Sequence, residues 1–200
     1  MMNSQVATRK KVNVKRMTII SLLSAISIML SMIPQVGYIQ IGPVAITTMC
    51  IPVIIGGIME GPIAGASIGF IFGVTSMFRA LMGLAGPTGF VFMNPLVSVL
   101  PRILIGVVAY YSFKLSMKLI KNTYVAGCIS GALASIINTV GVLGMIYALY
   151  AAEYATALEQ SPGAAKALLI GVATTNGIAE ALGGALVVSA VVAVLKKSKK

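Results

Sequence analysis

The residues best suited to chemistry in this chain are a few polar side chains set within long apolar stretches. Asn94, Ser98 and Arg102 are spaced by four residues, which places them on one face of a helix. Asn176 and Glu180 have the same spacing farther along the chain. Amides, hydroxyls and charged groups are costly in apolar surroundings, so their presence indicates either a binding site or a paired structural contact.

Several of these side chains are predicted to lie at one depth of a membrane. Counted at about 1.5 Å per residue from the predicted outer ends of their helices, Arg102 lies roughly 10 Å down, Asn138 roughly 12–14 Å and Asn176 roughly 12 Å. Three helices would then supply polar groups to one level, which predicts a ligand pocket open to the outside. The candidate substrate-binding residues are Arg102, Asn94, Ser98, Asn138, Asn176, Glu180, Arg79 and, in a loop above the pocket, Tyr38 and Gln40.

A structural role is the alternative for the same side chains. Arg102 and Glu180 could neutralise each other and so hold two helices together. Asn138 and Asn176 could make interhelical hydrogen bonds of modest strength. Outer tyrosines, such as Tyr147, could belong to an interfacial aromatic belt.

The composition places these residues in a membrane protein. Hydrophobic residues make up 58% of the 200 residues and charged residues only 10%, and the mean hydropathy is +0.99. A soluble domain carries roughly a quarter charged residues. The net charge of +11 does not indicate nucleic-acid binding, because the lysines and arginines stand in blocks beside apolar segments.

The predicted fold is an all-α integral membrane bundle of six transmembrane helices, because helices satisfy their own backbone hydrogen bonds in lipid. The predicted spans are 17–33, 44–59, 63–81, 95–113, 124–150 and 164–195, with a proline kink expected at Pro101. A single membrane domain of residues 1–200 then comprises a basic N-terminus (1–16), the bundle (17–195) and a basic tail (196–200).

Both termini are predicted to be cytoplasmic. Twelve Lys and Arg residues lie in the N-terminus, the loop after the fourth span and the C-terminus, against about two on the other side, Arg79 and Lys166. Cytoplasmic loops carry the excess of positive charge.

Enzyme chemistry and metal binding find little support. The chain has no His and two Cys residues, Cys50 and Cys128, which we interpret as separate buried thiols. We therefore expect no metal and no cofactor. The pattern G-x-x-x-x-G-K-[ST] does not occur in the chain, so any ATP hydrolysis would come from partners.

Small residues spaced by four predict close helix contacts. Gly65 with Gly69, and Gly127 with Gly131, are expected to pack inside the bundle. Ser21 and Ala25 lie on the first helix, where the pair could instead face another subunit.

Three stretches resemble a known family: ITTMCIPVIIG at 46–56, EGPIAGA at 60–66 and FMNPLVSVLPR at 92–102. With the basic N-terminus and six predicted spans, the chain from about 17 to 195 is similar to the substrate-binding S component of energy-coupling factor (ECF) vitamin transporters. The resemblance implies vitamin capture from outside, at the bacterial cell membrane, and delivery through a membrane coupling subunit driven by two cytoplasmic ATPase subunits. It also implies that Ser21 and Ala25, at the positions of the family's Ala-x-x-x-Ala motif, contact the coupling subunit.

Pantothenate is the predicted vitamin, because two arginines favour a small anion and 92–102 looks most like pantothenate-type members. Riboflavin, a pyridoxine-like vitamin and a cobalamin precursor remain alternatives. The rival classes are an autonomous carrier or channel, which would need a continuous polar path, and an intramembrane enzyme, which would need a nucleophile–base pair.

Overall fold

The computed structural model describes residues 14–33, 37–41 and 44–198, which form a helical bundle with one short β-hairpin. The helices are α1 (Val14–Met32), α2 (Ile51–Glu60), α3 (Pro62–Leu81), α4 (Pro95–Ser98), α5 (Leu100–Ile120), α6 (Thr123–Ala157) and α7 (Ala165–Ser198). The strands are β1 (Tyr38–Ile41) and β2 (Val44–Thr47), and 3₁₀ helices span Gly89–Met93 and Pro162–Ala164. Most of the predicted basic termini and part of the predicted loop 34–43 lie outside the described residues.

Five helical stretches in the described part of the chain are long and apolar enough to cross a membrane. They are α1, α3, the α4–α5 pair, α6 and α7. This confirms the prediction of a helical membrane protein. The remaining predicted span, the second (44–59), corresponds to α2, whose ten residues cover about 15 Å, half of a hydrocarbon core of about 30 Å.

The prediction of one continuous helix over 44–59 is wrong. Residues Val44–Thr47 form β2, which pairs antiparallel with β1 in a register that sets Tyr38 opposite Thr47. The helix begins only at Ile51, where Pro52 occupies its first turn, a position that proline favours. Hydropathy alone does not distinguish this strand from the helix that follows, although β-branched residues favour the extended chain.

The turn between α2 and α3 forms where the sequence predicts it. Gly61 adopts φ +100°, a left-handed backbone region that glycine enters without strain, and Pro62 begins α3. This two-helix unit brings α2 alongside α3 with hardly any connecting chain.

Glycines join the helices backbone to backbone near this turn. A Cβ atom on Gly65 would lie 2.7 Å from Cα of Gly57 and 2.8 Å from Cα of Gly106, so α2, α3 and α5 meet at one point. A Cβ on Gly131 would overlap the backbone of Gly184, which joins α6 to α7 in the same way. The predicted packing role of the glycine pairs is confirmed.

Helix α6 extends beyond its predicted end. The predicted span stops at Tyr150, and the backbone there departs from helical geometry (φ −140°, ψ 24°), but the helix resumes and ends at Ala157. A kink inside a continuous apolar stretch leaves no mark on hydropathy, so the sequence predicted an end where the structure has a bend.

Candidate functional site

Four of the predicted polar residues line one cavity of about 190 Å³. Arg102 comes from α5, Asn138 from α6, and Asn176 and Glu180 from α7. The cavity thus has a polar group from each of three helices. Its remaining wall consists of Thr47, Met49, Phe72, Ser76, Phe92, Thr139, Val142, Leu143 and Val172.

Arg102 is positioned by a break in its own helix. In an ordinary helix the backbone N–H of residue 101 would donate to the carbonyl of Val97. Pro101 has no backbone N–H, so this carbonyl lacks its usual donor. Nη1 of Arg102 donates to that carbonyl oxygen at 2.7 Å. The helix is interrupted at Val99, between α4 and α5, although Val99 itself keeps helical dihedral angles (φ −101°, ψ −47°). One proline thus both interrupts the helix and creates the acceptor for the arginine.

Two aromatic rings flank the same guanidinium. Its central carbon lies 5.6 Å from the centroid of Phe72 and 5.4 Å from the centroid of Phe92, distances at which a cation is attracted to a ring face. Only 7% of Arg102 is exposed. A positive charge with so little exposure to solvent favours the binding of an anion beside it.

Helix α3 approaches Arg102 closely because of two glycines. A Cβ on Gly69 would overlap the carbonyl oxygen of Arg102, and one on Gly73 would lie 2.6 Å from Cα of Val99. Gly65, Gly69 and Gly73 therefore form one small-residue face on α3, and α5 with the residue before it packs against this face. Larger side chains here would displace the arginine from the cavity.

A second cavity of about 250 Å³ adjoins the first. It shares Ser76, Phe92 and Arg102 with it and adds Arg79. Nη2 of Arg79 donates to the carbonyl of Leu84 at 3.3 Å, and only 8% of the residue is exposed. The two cavities are therefore lobes of one crevice, with a guanidinium at their junction and another in the second lobe.

Glu180 connects three elements at the opposite side of the first lobe. Its Oε1 accepts a hydrogen bond from the hydroxyl of Thr47 in β2, and its Oε2 accepts one from the hydroxyl of Thr139 in α6 at 3.1 Å. The carboxylate thus ties the hairpin to α6 and α7. Sequence reasoning missed both threonines. Thr139 could have been found, since it follows Asn138 directly, whereas Thr47 depends on a hairpin that was not predicted.

Asn138 offers an acceptor to the first lobe. The residue is 8% exposed, and its Oδ1 is buried without a hydrogen-bond partner among the described residues. A buried carbonyl oxygen without a donor costs free energy. A ligand hydroxyl or amide N–H would satisfy it.

Asn94 and Ser98 lie apart from the two lobes. Asn94 caps α4 by accepting from the amide of Leu96 at 2.9 Å, and its Nδ2 donates to the hydroxyl of Tyr150 at 3.1 Å. Ser98 donates to the carbonyl of Asn94 at 3.0 Å and is fully buried. Of the predicted stripe of Asn94, Ser98 and Arg102, only Arg102 lines the crevice, and the first two residues stabilise the segment that carries the third.

The other candidates lie at the edges of the described structure. Tyr38 and Gln40 belong to β1, but their side chains lie outside the part of the chain that is described. Ser21 and Ala25 are both exposed on α1, whereas Ser24, Ser27 and Ser31 form its buried face. The small pair on α1 therefore points away from the bundle.

Comparison with known proteins gives consistent matches over nearly the whole chain. A family model described as "ECF transporter, substrate-specific component" matches residues 15–192. A pantothenate transporter PanT of Leuconostoc mesenteroides is 29% identical over 187 residues, which cover 88% of this chain and 90% of that protein. A pantothenic acid transporter PanT of Lactococcus lactis is 26% identical over 171 residues, 78% of this chain and 81% of that protein.

Proposed function

This chain belongs to the family of substrate-specific components of ECF transporters, a multi-pass protein of the bacterial plasma membrane, and from that premise we propose that it binds pantothenate outside the cell. The observation that carries the proposal is the two-lobed crevice, with Arg79 in one lobe, Asn138, Asn176 and Glu180 in the other, and Arg102 at their junction. The names of two relatives point to the same vitamin.

Pantothenate matches the distribution of donors and acceptors in the crevice. It has a carboxylate at one end, two hydroxyls at the other and an amide between them. The carboxylate is expected beside Arg102 and Arg79, where it accepts charge-assisted hydrogen bonds. A hydroxyl is then placed to donate to Oδ1 of Asn138, with Asn176 and Glu180 close by.

The proposed orientation sets the crevice toward the outside. In the sequence, blocks of Lys and Arg precede α1 and lie at the ends of α5 and α7, so we infer by the positive-inside rule that both termini are cytoplasmic. The hairpin and the crevice then lie at the outer end. Counting α2 as a short sixth helix, beside the five long helical stretches of the described residues, supports the predicted bundle of six.

Transport is proposed to need partners: a membrane coupling subunit and two cytoplasmic ATPases. The sequence has no Walker-type phosphate-binding loop, so the energy must come from elsewhere. The exposed pair Ser21 and Ala25 on α1 permits a close approach of a partner helix, which supports a contact with the coupling subunit there.

Ligand discrimination by the purified chain tests the proposal. We expect the full chain in detergent to bind pantothenate without ATP, measured by isothermal titration calorimetry. Panthenol, in which an alcohol replaces the carboxylate, is the matched control and should bind at least about 30-fold more weakly, since it leaves a buried arginine without its anion. Equal affinity for both ligands would show that the arginines do not distinguish a carboxylate from an alcohol.

Uptake by reconstituted protein tests the dependence on partners. Vesicles containing this chain alone should accumulate no labelled pantothenate, and addition of the coupling and ATPase subunits with ATP should restore uptake. Accumulation by the chain alone, driven by an ion gradient, would contradict the proposal and favour an autonomous carrier.

A further inference from the structure

A second concave surface lies on the exterior side wall of the bundle, between α6 and α7. Its first part has a volume of about 300 Å³ and includes Gly144, Tyr147 and Lys166. Its second part, of about 230 Å³, shares Val140 and Ala173 with the first and continues along the same two helices. The two parts form one groove, distinct from the substrate crevice.

The groove between α6 and α7 is open at Gly144. Gly131 and Gly184 hold the helices backbone to backbone, but a Cβ on Gly144 would meet nothing within 4 Å. Large apolar residues along the groove, such as Val140 (60% exposed) and Ile170 (53% exposed), are more than half uncovered by the described chain. In a bilayer this surface must be filled by an apolar chain.

The end of the groove at Lys166 has a different chemistry. Lys166 and Tyr147 line it and are both exposed. A lysine in the first turn of α7 interacts unfavourably with the positive end of the helix dipole. On the proposed outer side of the membrane, it is also an exception to the positive-inside rule. Neither helix stability nor membrane orientation explains this charge, whereas a phosphate would satisfy both the ammonium and the dipole.

We propose that this groove binds one phospholipid with an anionic headgroup from the surrounding bilayer. Its phosphate lies at Lys166 and one acyl chain lies along Gly144 and Ala173. A zwitterionic headgroup is a weaker ligand, because its own ammonium offsets the attraction between the phosphate and Lys166. The proposal is independent of the vitamin assigned to the crevice.

The lipid site shares a wall with the substrate crevice. Leu143 and Thr139 each line the crevice and one part of the groove. Thr139 also donates to Glu180. One layer of side chains on α6 therefore separates the bound lipid from the substrate.

Native mass spectrometry of the full chain in detergent tests this site, with phosphatidylglycerol and phosphatidylcholine as probes. We expect a one-to-one adduct that favours phosphatidylglycerol. Lys166→Gln should reduce the retained phosphatidylglycerol about fivefold, the effect of one lysine near a membrane surface. Gly144→Leu fills the groove and should reduce retention of both lipids by at least as much.

Gly171→Leu is the matched control, because a Cβ there also meets nothing within 4 Å and the residue lines neither part of the groove. It should retain lipid as the unaltered chain does. Retention that is equal in all three variants would overturn the proposal. So would a dimer that Gly144→Leu abolishes while lipid binding persists, since a second copy would then occupy the groove. Lys166→Gln lies on the surface, so its result does not depend on a variant that disturbs packing.

Discussion

The two ends of the bundle are built in opposite ways. Around the Gly61 turn the helices touch through glycines, with Gly57, Gly65 and Gly106 meeting at one point and Gly131 against Gly184. At the hairpin end α3 still approaches α5 through Gly69, but the helices there enclose the polar crevice. A bundle that is closed and apolar at the Gly61 end, and open and polar at the hairpin end, is suited to binding a molecule. A channel would need a polar path through both ends. The substitutions that follow test this contrast, and they are ordered by their expected effect on ligand binding.

Filling the closed end should have the largest effect. Gly65→Leu places atoms where the backbones of Gly57 and Gly106 now lie, and such overpacking lowers the free energy of unfolding by about 3 kcal/mol. We expect a lower melting temperature and loss of ligand binding together. Gly144→Leu, at an open position on α6, is the control and should melt as the unaltered chain does. An unchanged melting temperature for Gly65→Leu would show that the closed end tolerates separation of its helices.

Removing the charge at the open end should have the next largest effect. Arg102→Ala leaves a bound carboxylate without its partner, which costs about 2–5 kcal/mol, or roughly 30- to 4,000-fold in affinity. Arg102→Lys should recover only part of this, because an ammonium does not reproduce the guanidinium fork. Calorimetric titration with pantothenate measures both. Affinity for panthenol should change much less.

The double variant Arg102→Met with Glu180→Met separates a binding role from a structural one. If the two charges only neutralise each other, apolar replacements restore both folding and binding. If Arg102 binds the ligand, the double variant folds and still binds pantothenate poorly. Melting temperatures and titrations on the two single variants, the double variant and the unaltered chain decide between these outcomes.

Loosening the hairpin should have a smaller effect. Thr47→Val keeps the shape of the side chain but removes its hydrogen bond to Glu180, and a bond of this kind contributes about 1 kcal/mol. We expect ligand dissociation to be about fivefold faster, as measured by release of labelled pantothenate. Thr18→Val, which loses only a bond within exposed α1, should not change the rate. Equal rates for both variants would mean that the hairpin does not retain the ligand.

A change outside both ends should leave ligand binding nearly intact. Ser21→Trp or Ala25→Trp, on the exposed face of α1, is expected to clash with a partner helix at close approach. Uptake by the reconstituted transporter should therefore fall while pantothenate affinity stays within about twofold. Loss of affinity and uptake in equal measure would place the pair inside the bundle instead.

The parts of this structure that sequence predicts well are those governed by burial. Apolar length located the long helices, and counting along them brought Arg102, Asn138 and Asn176 to one level, because helical rise is nearly constant. The hairpin was missed since its apolar residues satisfy the same hydropathy rule as a helix. Asn94 and Ser98 have helical spacing to Arg102 but line neither lobe, because Asn94 caps α4 and bonds to Tyr150 and Ser98 bonds to the carbonyl of Asn94. The second lobe depends on how α3 approaches α5, and spacing along one chain does not determine the distance between two helices.

The proline–arginine pair at 101 and 102 has a consequence for how binding free energy is used. An unrestrained arginine loses up to about 2 kcal/mol of rotamer entropy when it is ordered. Here the carbonyl of Val97 and the rings of Phe72 and Phe92 already restrict the side chain, so most of that loss occurs during folding. A ligand that meets a preorganised guanidinium keeps more of its interaction energy as affinity. Replacement of Pro101 by alanine would return the Val97 carbonyl to the helix, and the arginine would then have to be ordered anew at each binding event.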